Sequence, residues 1–171
     1  GPDAPYKGAN AGYHSRILKE TEKASPGYYE VELYDHRVKA AMTATTRCSF
    51  QKYIFPECTD SRILMDLLFP TEWDYGFSVK EATIEQVSDT RIEGYAKCVS
   101  GAWSRWNDWT LYFSIRFSKP FDSFNGWKGT EVTENINKIS GSDEMGAYVT
   151  YKTAENEEIL IQTGLSLVSI E

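Results

Sequence analysis

The residues able to do chemistry are varied in type but poorly grouped. His14 and His36 are the only two imidazoles. Both fall in turn-like segments and nothing marks a nucleophilic serine, so a Ser-His-Asp triad finds no constellation. The 25 acidic residues leave paired carboxylates open, since inverting glycoside hydrolysis needs two acids about 6.5–9.5 Å apart. Asp66 stands out within an apolar stretch, although strand alternation alone places such a residue outward. Cys48, Cys58 and Cys98 lack the spacing of a zinc site. They read as three buried thiols, with one bridge plus one free thiol as the alternative. There is no Gly-rich phosphate loop, dinucleotide fingerprint or HExxH.

The most unusual local feature is a run of three tryptophans, Trp103, Trp106 and Trp109. Trp109 continues into a strand. Trp103 and Trp106 are placed in the loop before it, where rings have less structural reason to be. There they can stack on a sugar or touch a partner, with plain loop packing as the alternative.

The elements that must carry these residues are strands. In residues 28–33, Tyr29, Val31 and Leu33 share one face while Tyr28, Glu30 and Glu32 share the other. Residues 34–37 read as a turn into a strand at 38–45. A further strand at 47–55 stops at Pro56, which cannot donate to a ladder. The clearest alternation is 109–118: Trp109, Leu111, Phe113, Ile115 and Phe117 point one way, and polar residues and Tyr112 the other. Residues 79–87, 90–99, 146–152 and 158–169 also read as strands. Residues 61–69 fit a helix or a strand, and the short length and neighbouring strands favour a strand. Residues 131–139 are expected to hold a brief helical turn. Nine or ten short strands predict an all-β fold, an antiparallel β-sandwich of two sheets.

Composition narrows the function classes. Hydrophobic residues make up 41% and aromatics 14% of the 171 residues, which suits a packed sheet protein and excludes a disordered chain. The net charge of −7 argues against a nucleic-acid partner, which requires a basic surface. No run of about 18 apolar residues exists to span a membrane as a helix, and no signal peptide is seen. The start at Gly1-Pro2 and the end on a strand predict a piece of a longer chain. Residues 1–12 read as a tag remnant or flexible lead, and residues 13–171 as the sandwich domain.

Several segments resemble glycoside hydrolase family 92, the exo-acting α-mannosidases. Glu20-Thr21-Glu22-Lys23-Ala24-Ser25-Pro26-Gly27-Tyr28-Tyr29 is similar to a family stretch of His-Glu-x-Glu followed by Ala, Ser, Pro, Gly, Tyr, Tyr, with Lys19 at the histidine's place. Thr43-Ala44-Thr45-Thr46-Arg47 resembles the family's Thr-Ala-Thr-x-Arg, and Tyr53-Ile54-Phe55-Pro56 its Tyr-x-Phe-Pro. Ile92-Glu93-Gly94-Tyr95, Tyr112-Phe113 with Phe117-Ser118-Lys119-Pro120-Phe121, and the run 163–171 follow in the family's order.

The resemblance implies an N-terminal sandwich that packs on a C-terminal (α/α) barrel of the same parent chain and helps shape the pocket for a mannose-containing glycan. Hydrolysis with inversion, its catalytic residues and the calcium are implied to belong to the barrel, so no catalytic residue, metal ligand or cofactor is expected in this segment, and the segment alone is expected to be inactive. Glu22, Arg47 and one of Trp103 or Trp106 are the candidates for the pocket-facing side. A surface ion pair is the plainer reading of the first two. A periplasmic or extracellular setting is implied as well. The alternative is a stand-alone carbohydrate-binding module or structural interaction domain without hydrolysis.

Overall fold

Alternation with a period of two decides which residues become core, and here it sorts two stacked sheets. The computed structural model describes residues 15–67, 77–102, 105–142 and 144–170. Thirteen strands and no helix occupy these residues. The larger sheet has nine strands in the order β1 (Ile17–Ser25), β2 (Tyr28–Leu33), β3 (Val38–Ala44), β4 (Cys48–Phe55), β13 (Glu157–Ser166), β8 (Arg105–Phe117), β7 (Arg91–Ala102), β6 (Ser78–Ser88) and β11 (Lys138–Gly141). The smaller has four, in the order β10 (Glu131–Thr133), β9 (Ser123–Lys128), β12 (Met145–Thr153) and β5 (Cys58–Asp66). Every neighbouring pair is antiparallel.

The core lies between the sheets. From the large sheet come Val79, Ala82, Ile84, Ile92, Phe113, Phe117, Ile159 and Ile161; from the small one come Phe124, Met145, Ala147, Val149 and Tyr151. The inward row of β8 is the one read from its alternation: Phe113 and Phe117 are buried, and Trp109 and Ile115 pack against the cluster. Gly94 faces Phe113 across the ladder. A Cβ there would stand 2.2 Å from the Thr83 carbonyl oxygen and 2.5 Å from Phe113 Cζ. The missing side chain is therefore what lets the Phe113 ring lie flat over the strand.

Some expectations need correction. Residues 131–139 hold no helical turn; they form β10, a link and the start of β11. The buried Asn125 side chain accepts a 2.9 Å hydrogen bond from the Asn135 amide, and the Ile136 amide donates to the Phe124 carbonyl at 3.0 Å. Those amides are spent on β9, so a helix has no donors there. β1 was not anticipated, because its sequence ILKETEKAS alternates poorly. Residues 58–66 are indeed a strand; the later part of that apolar stretch, 68–69, lies outside the described residues. The thiols differ from expectation: Cys98 is buried, Cys48 and Cys58 are exposed, and all three are free. Cys48 opens β4 on its outward side, opposite Gly164. Cys58 opens an edge strand.

Candidate functional site on the open half of the large sheet

Nine strands face four, so among the described residues part of the large sheet's inward side is not covered. The inward rows of β2, β3 and β4 begin in the core at Leu33, Val38 and Phe55. They then run out of cover. Met42 is 39% exposed, although it shares a face with Val38 and Ala40. On β4 the inward series turns polar as it leaves the core, through Tyr53, Gln51 and Ser49. The Tyr53 hydroxyl donates to Gln51 Oε1 at 2.9 Å, and Gln51 Nε2 donates to Ser49 Oγ at 3.3 Å. Burial pushes the Tyr53 phenol up from its ordinary value.

Glu22 joins this face through a bulge. Leu18 pairs with Glu32 and Lys23 with Glu30, so the four residues 19–22 stand opposite Val31 alone. Such a bulge re-aims side chains. Thr21 closes it: its hydroxyl donates to the Leu18 carbonyl at 2.7 Å and accepts the Glu32 amide at 2.9 Å. Glu22 Oε1 then accepts the Tyr29 hydroxyl at 2.8 Å, and Oε2 pairs with the Lys19 ammonium. The hydrogen bond from Lys19, followed by that from Tyr29, holds the Glu22 carboxyl below the usual range. Glu22 is thus ionised at neutral pH and suited to accept hydrogen bonds rather than to deliver a proton. Tyr29, Met42 and Gln51 are register partners, so a row from Glu22 to Gln51 offers carboxylate, phenol, thioether and amide on one open face.

Arg47 is exposed in the β3–β4 turn, and its carbonyl accepts the Leu165 amide at 2.8 Å. Register puts the β1–β2 turn, the β3–β4 turn, the end of β13 and the β7–β8 hairpin at one end of the large sheet. Across the strands the candidates are spread out. Arg47 is two strand spacings from β8, about 10 Å, and Glu22 on β1 is five, about 24 Å. Glu22 lies level with Val31, midway along β2, whereas Arg47 lies in the β3–β4 turn beyond Ala44.

Trp106 is not in a loop. It is the second residue of β8, and its backbone pairs with Gly101. The last β13–β8 pair is Ser166 with Tyr112, so the β7–β8 arm carries Trp106 about 20 Å past the end of β13. Trp103 and His14 lie outside the described residues. His36 is exposed in the β2–β3 turn. Asp66 ends β5 opposite Gly146, on the outward side that alternation assigned it. Among the described residues no group of three His, Cys, Asp or Glu could hold a metal ion.

Sequence reasoning passed over Tyr29, Met42, Gln51 and Ser49 as site residues. The available signal was Gln51, a polar residue on the parity of Phe55 and Tyr53. Next to these, the end of β13 and the run after it are apolar and open: Leu165 is 42%, Leu167 64%, Val168 80% and Ile170 38% exposed.

Comparison with known proteins places the fold. A structure of the family GH92 α-mannosidase BT3965 from Bacteroides thetaiotaomicron matches with a TM-score of 0.78 and 27% identity, over 92% of this chain and 21% of that one. The family GH92 inverting mannosidase BT2199 from Bacteroides thetaiotaomicron VPI-5482 matches with a TM-score of 0.74 and 18% identity, over 97% of this chain and 21% of that one. A family GH92 glycosyl hydrolase, ccman5, has a TM-score of 0.68 and 21% identity, over 89% and 20% of the two chains. The chain thus spans about a fifth of the length of these solved relatives. No curated protein sequence matches it. The sequence profile of the glycosyl hydrolase family 92 N-terminal domain covers residues 3–166, and the chain belongs to that family of domains.

Proposed function

We propose that this domain is the N-terminal sandwich of an exo-acting, inverting, calcium-dependent α-mannosidase, and that the open half of its large sheet, with the end beside it, packs on an (α/α) barrel. The observation that carries this reading is the far part of the inward face of β2–β4, past the buried Val31 and Ala40, where an apolar row gives way to exposed Met42 and to hydrogen-bonding groups. The exposed run from Leu165 to Ile170 adds apolar surface at the same end, of the kind that marks an interaction site. The 27% identity with an α-mannosidase over 92% of this chain supports the mannoside class.

In this reading Glu22 and Arg47 reach the sugar from the rim: the ionised carboxylate accepts hydrogen bonds from sugar hydroxyls, and the guanidinium donates to ring or hydroxyl oxygens. Trp103 and Trp106 are the further candidates for sugar contact. The barrel supplies the acid, the base and the calcium. The parent works in the periplasm or outside the cell.

The test is kinetic, in the full-length enzyme. Glu22→Gln and Arg47→Ala are each expected to lower kcat/KM on α-mannosides by about tenfold or more, the value of a charge-assisted hydrogen bond, at unchanged melting temperature. The 171-residue chain by itself is expected to release no mannose. Unchanged kinetics in both variants would remove these residues from the pocket, and hydrolysis by the chain alone would overturn the division of labour.

A further inference from the structure

The outward side of β2, β3 and β4 holds a second feature, on the face opposite the open inward row. Glu30, Ala41 and Lys52 are register partners across the three strands. Three of Ala41's outward neighbours, Glu30, Lys39 and Lys52, are long and charged while Ala41 is short, so the sheet is hollow at that point. The hollow measures about 330 Å³ and is lined by Lys23, Glu30, Glu32, Lys39, Lys52 and Ile54 around Ala41. The next outward row is Tyr28, Thr43 and Phe50, again in register. Tyr28 is 42% and Phe50 38% exposed. The two rings stand two strand spacings apart, about 10 Å, with a small threonine between them.

The polar groups are held in place. The Tyr28 hydroxyl donates to Glu30 Oε2 at 2.5 Å, and Lys23 pairs with Glu30 Oε1 at 2.9 Å. Lys52 lies 3.7 Å from Glu158. Three ammonium groups and two carboxylates nearly cancel, so the hollow attracts neither an anion nor a cation strongly. It presents donors and acceptors side by side, beside two apolar ring faces. A ligand that matches must be neutral, must both donate and accept at many positions, and must have apolar C–H patches for the rings. An oligosaccharide has these properties; a phosphate would meet the carboxylates of Glu30 and Glu32.

We infer that the outward face of β2–β4 is an ancillary glycan-binding surface, in which Tyr28 and Phe50 stack on sugar rings and the Lys/Glu hollow over Ala41 takes sugar hydroxyls. It is separate from the inward row and does not depend on how that row is covered. Its occupant is a neutral oligosaccharide, and its use is to hold a polymeric or branched substrate near the enzyme.

The experiment is calorimetric titration of the 171-residue chain with a neutral manno-oligosaccharide and, separately, with inorganic phosphate. Oligosaccharide binding at millimolar concentration or tighter is expected, with phosphate much weaker. Phe50→Ser is expected to weaken binding about tenfold, since a stacked ring contributes on the order of 1 kcal/mol or more. Ala41→Gln, which fills the hollow, is expected to abolish it. A thermal melt checks that each variant is folded. The inference is overturned by no oligosaccharide binding at millimolar concentration, by binding that both folded variants retain, or by phosphate as the preferred ligand. Because Glu22 and Arg47 are intact in these variants, failure here leaves the rim reading untouched, and the kinetic test of that rim leaves this one untouched.

Discussion

The two halves of the large sheet are built by one rule and end in different states. Around β6, β7 and β8 the inward rows meet the second sheet, and Ile84 and Ile92 are fully buried. Across β1 to β4 the same parity carries Met42, 39% exposed, and the Ser49–Gln51–Tyr53 series. Alternation fixes which side a residue takes. Whether that side is dry depends on what lies across from it, and among the described residues only the covered half has a partner sheet. Polar substitution along one row therefore marks the line where cover stops.

That contrast can be broken most directly by truncation. Ile92→Ala is expected to cost about 2–5 kcal/mol, the range for a buried isoleucine, whereas Met42→Ala on the open half should cost under about 1 kcal/mol, as for an ordinary exposed position. Urea unfolding of both variants measures the pair, and equal losses would mean that the open half is as tightly packed as the covered one. Next in size is Gly94→Ala. Its Cβ would stand 2.2 Å from a backbone oxygen, which cannot swing away, so a loss of about 1–3 kcal/mol is expected.

Tyr151→Phe should run the other way. Tyr151 is fully buried and its hydroxyl has no hydrogen-bond partner among the described residues, and burial, helped by the Asp122 charge, drives the phenol far above its ordinary value. Removing that oxygen is expected to leave stability equal or raise it by up to about 1 kcal/mol, read as a higher melting temperature. A clear loss would show that the hydroxyl is satisfied in solution.

The smallest effect belongs to the open edge. Asp35 accepts the Arg16 amide at 2.7 Å and its guanidinium at 2.6 Å, which lowers the carboxyl to about 2. A depressed carboxylate contributes above its unfolded value, near 3.8, and the contribution fades as pH falls through about 2. Amide exchange in β1 should accelerate below pH 4 ahead of exchange in β7. Simultaneous loosening of both strands would mean that the edge and the core do not open separately.

Much of this was legible in the chain. Trp109 to Phe117 announced their own faces, and Pro56 announced the end of β4. β1 was not legible, because Lys19 to Glu22 bulge out of register and erase the period. Residues 131–139 misled because their backbone is claimed by Asn125 and Phe124, groups that no local pattern can foresee. Trp106 reads as loop in the sequence because a strand made of Arg, Trp, Asn and Asp carries no apolar alternation. For the candidate site, Glu22 and Arg47 came from family resemblance, while their surroundings depended on how far the smaller sheet reaches. That extent is set by strand count and not by any single residue.

The bulge closed by Thr21 has one more effect. β1 borders the nine-stranded sheet, and an unbroken border strand is a template on which another molecule can add its own strand. Four residues crowded against one interrupt the even spacing of amide and carbonyl groups that such an addition would have to match. The kink that turns Glu22 toward Tyr29 thus also protects the protein from stacking into aggregates along this border.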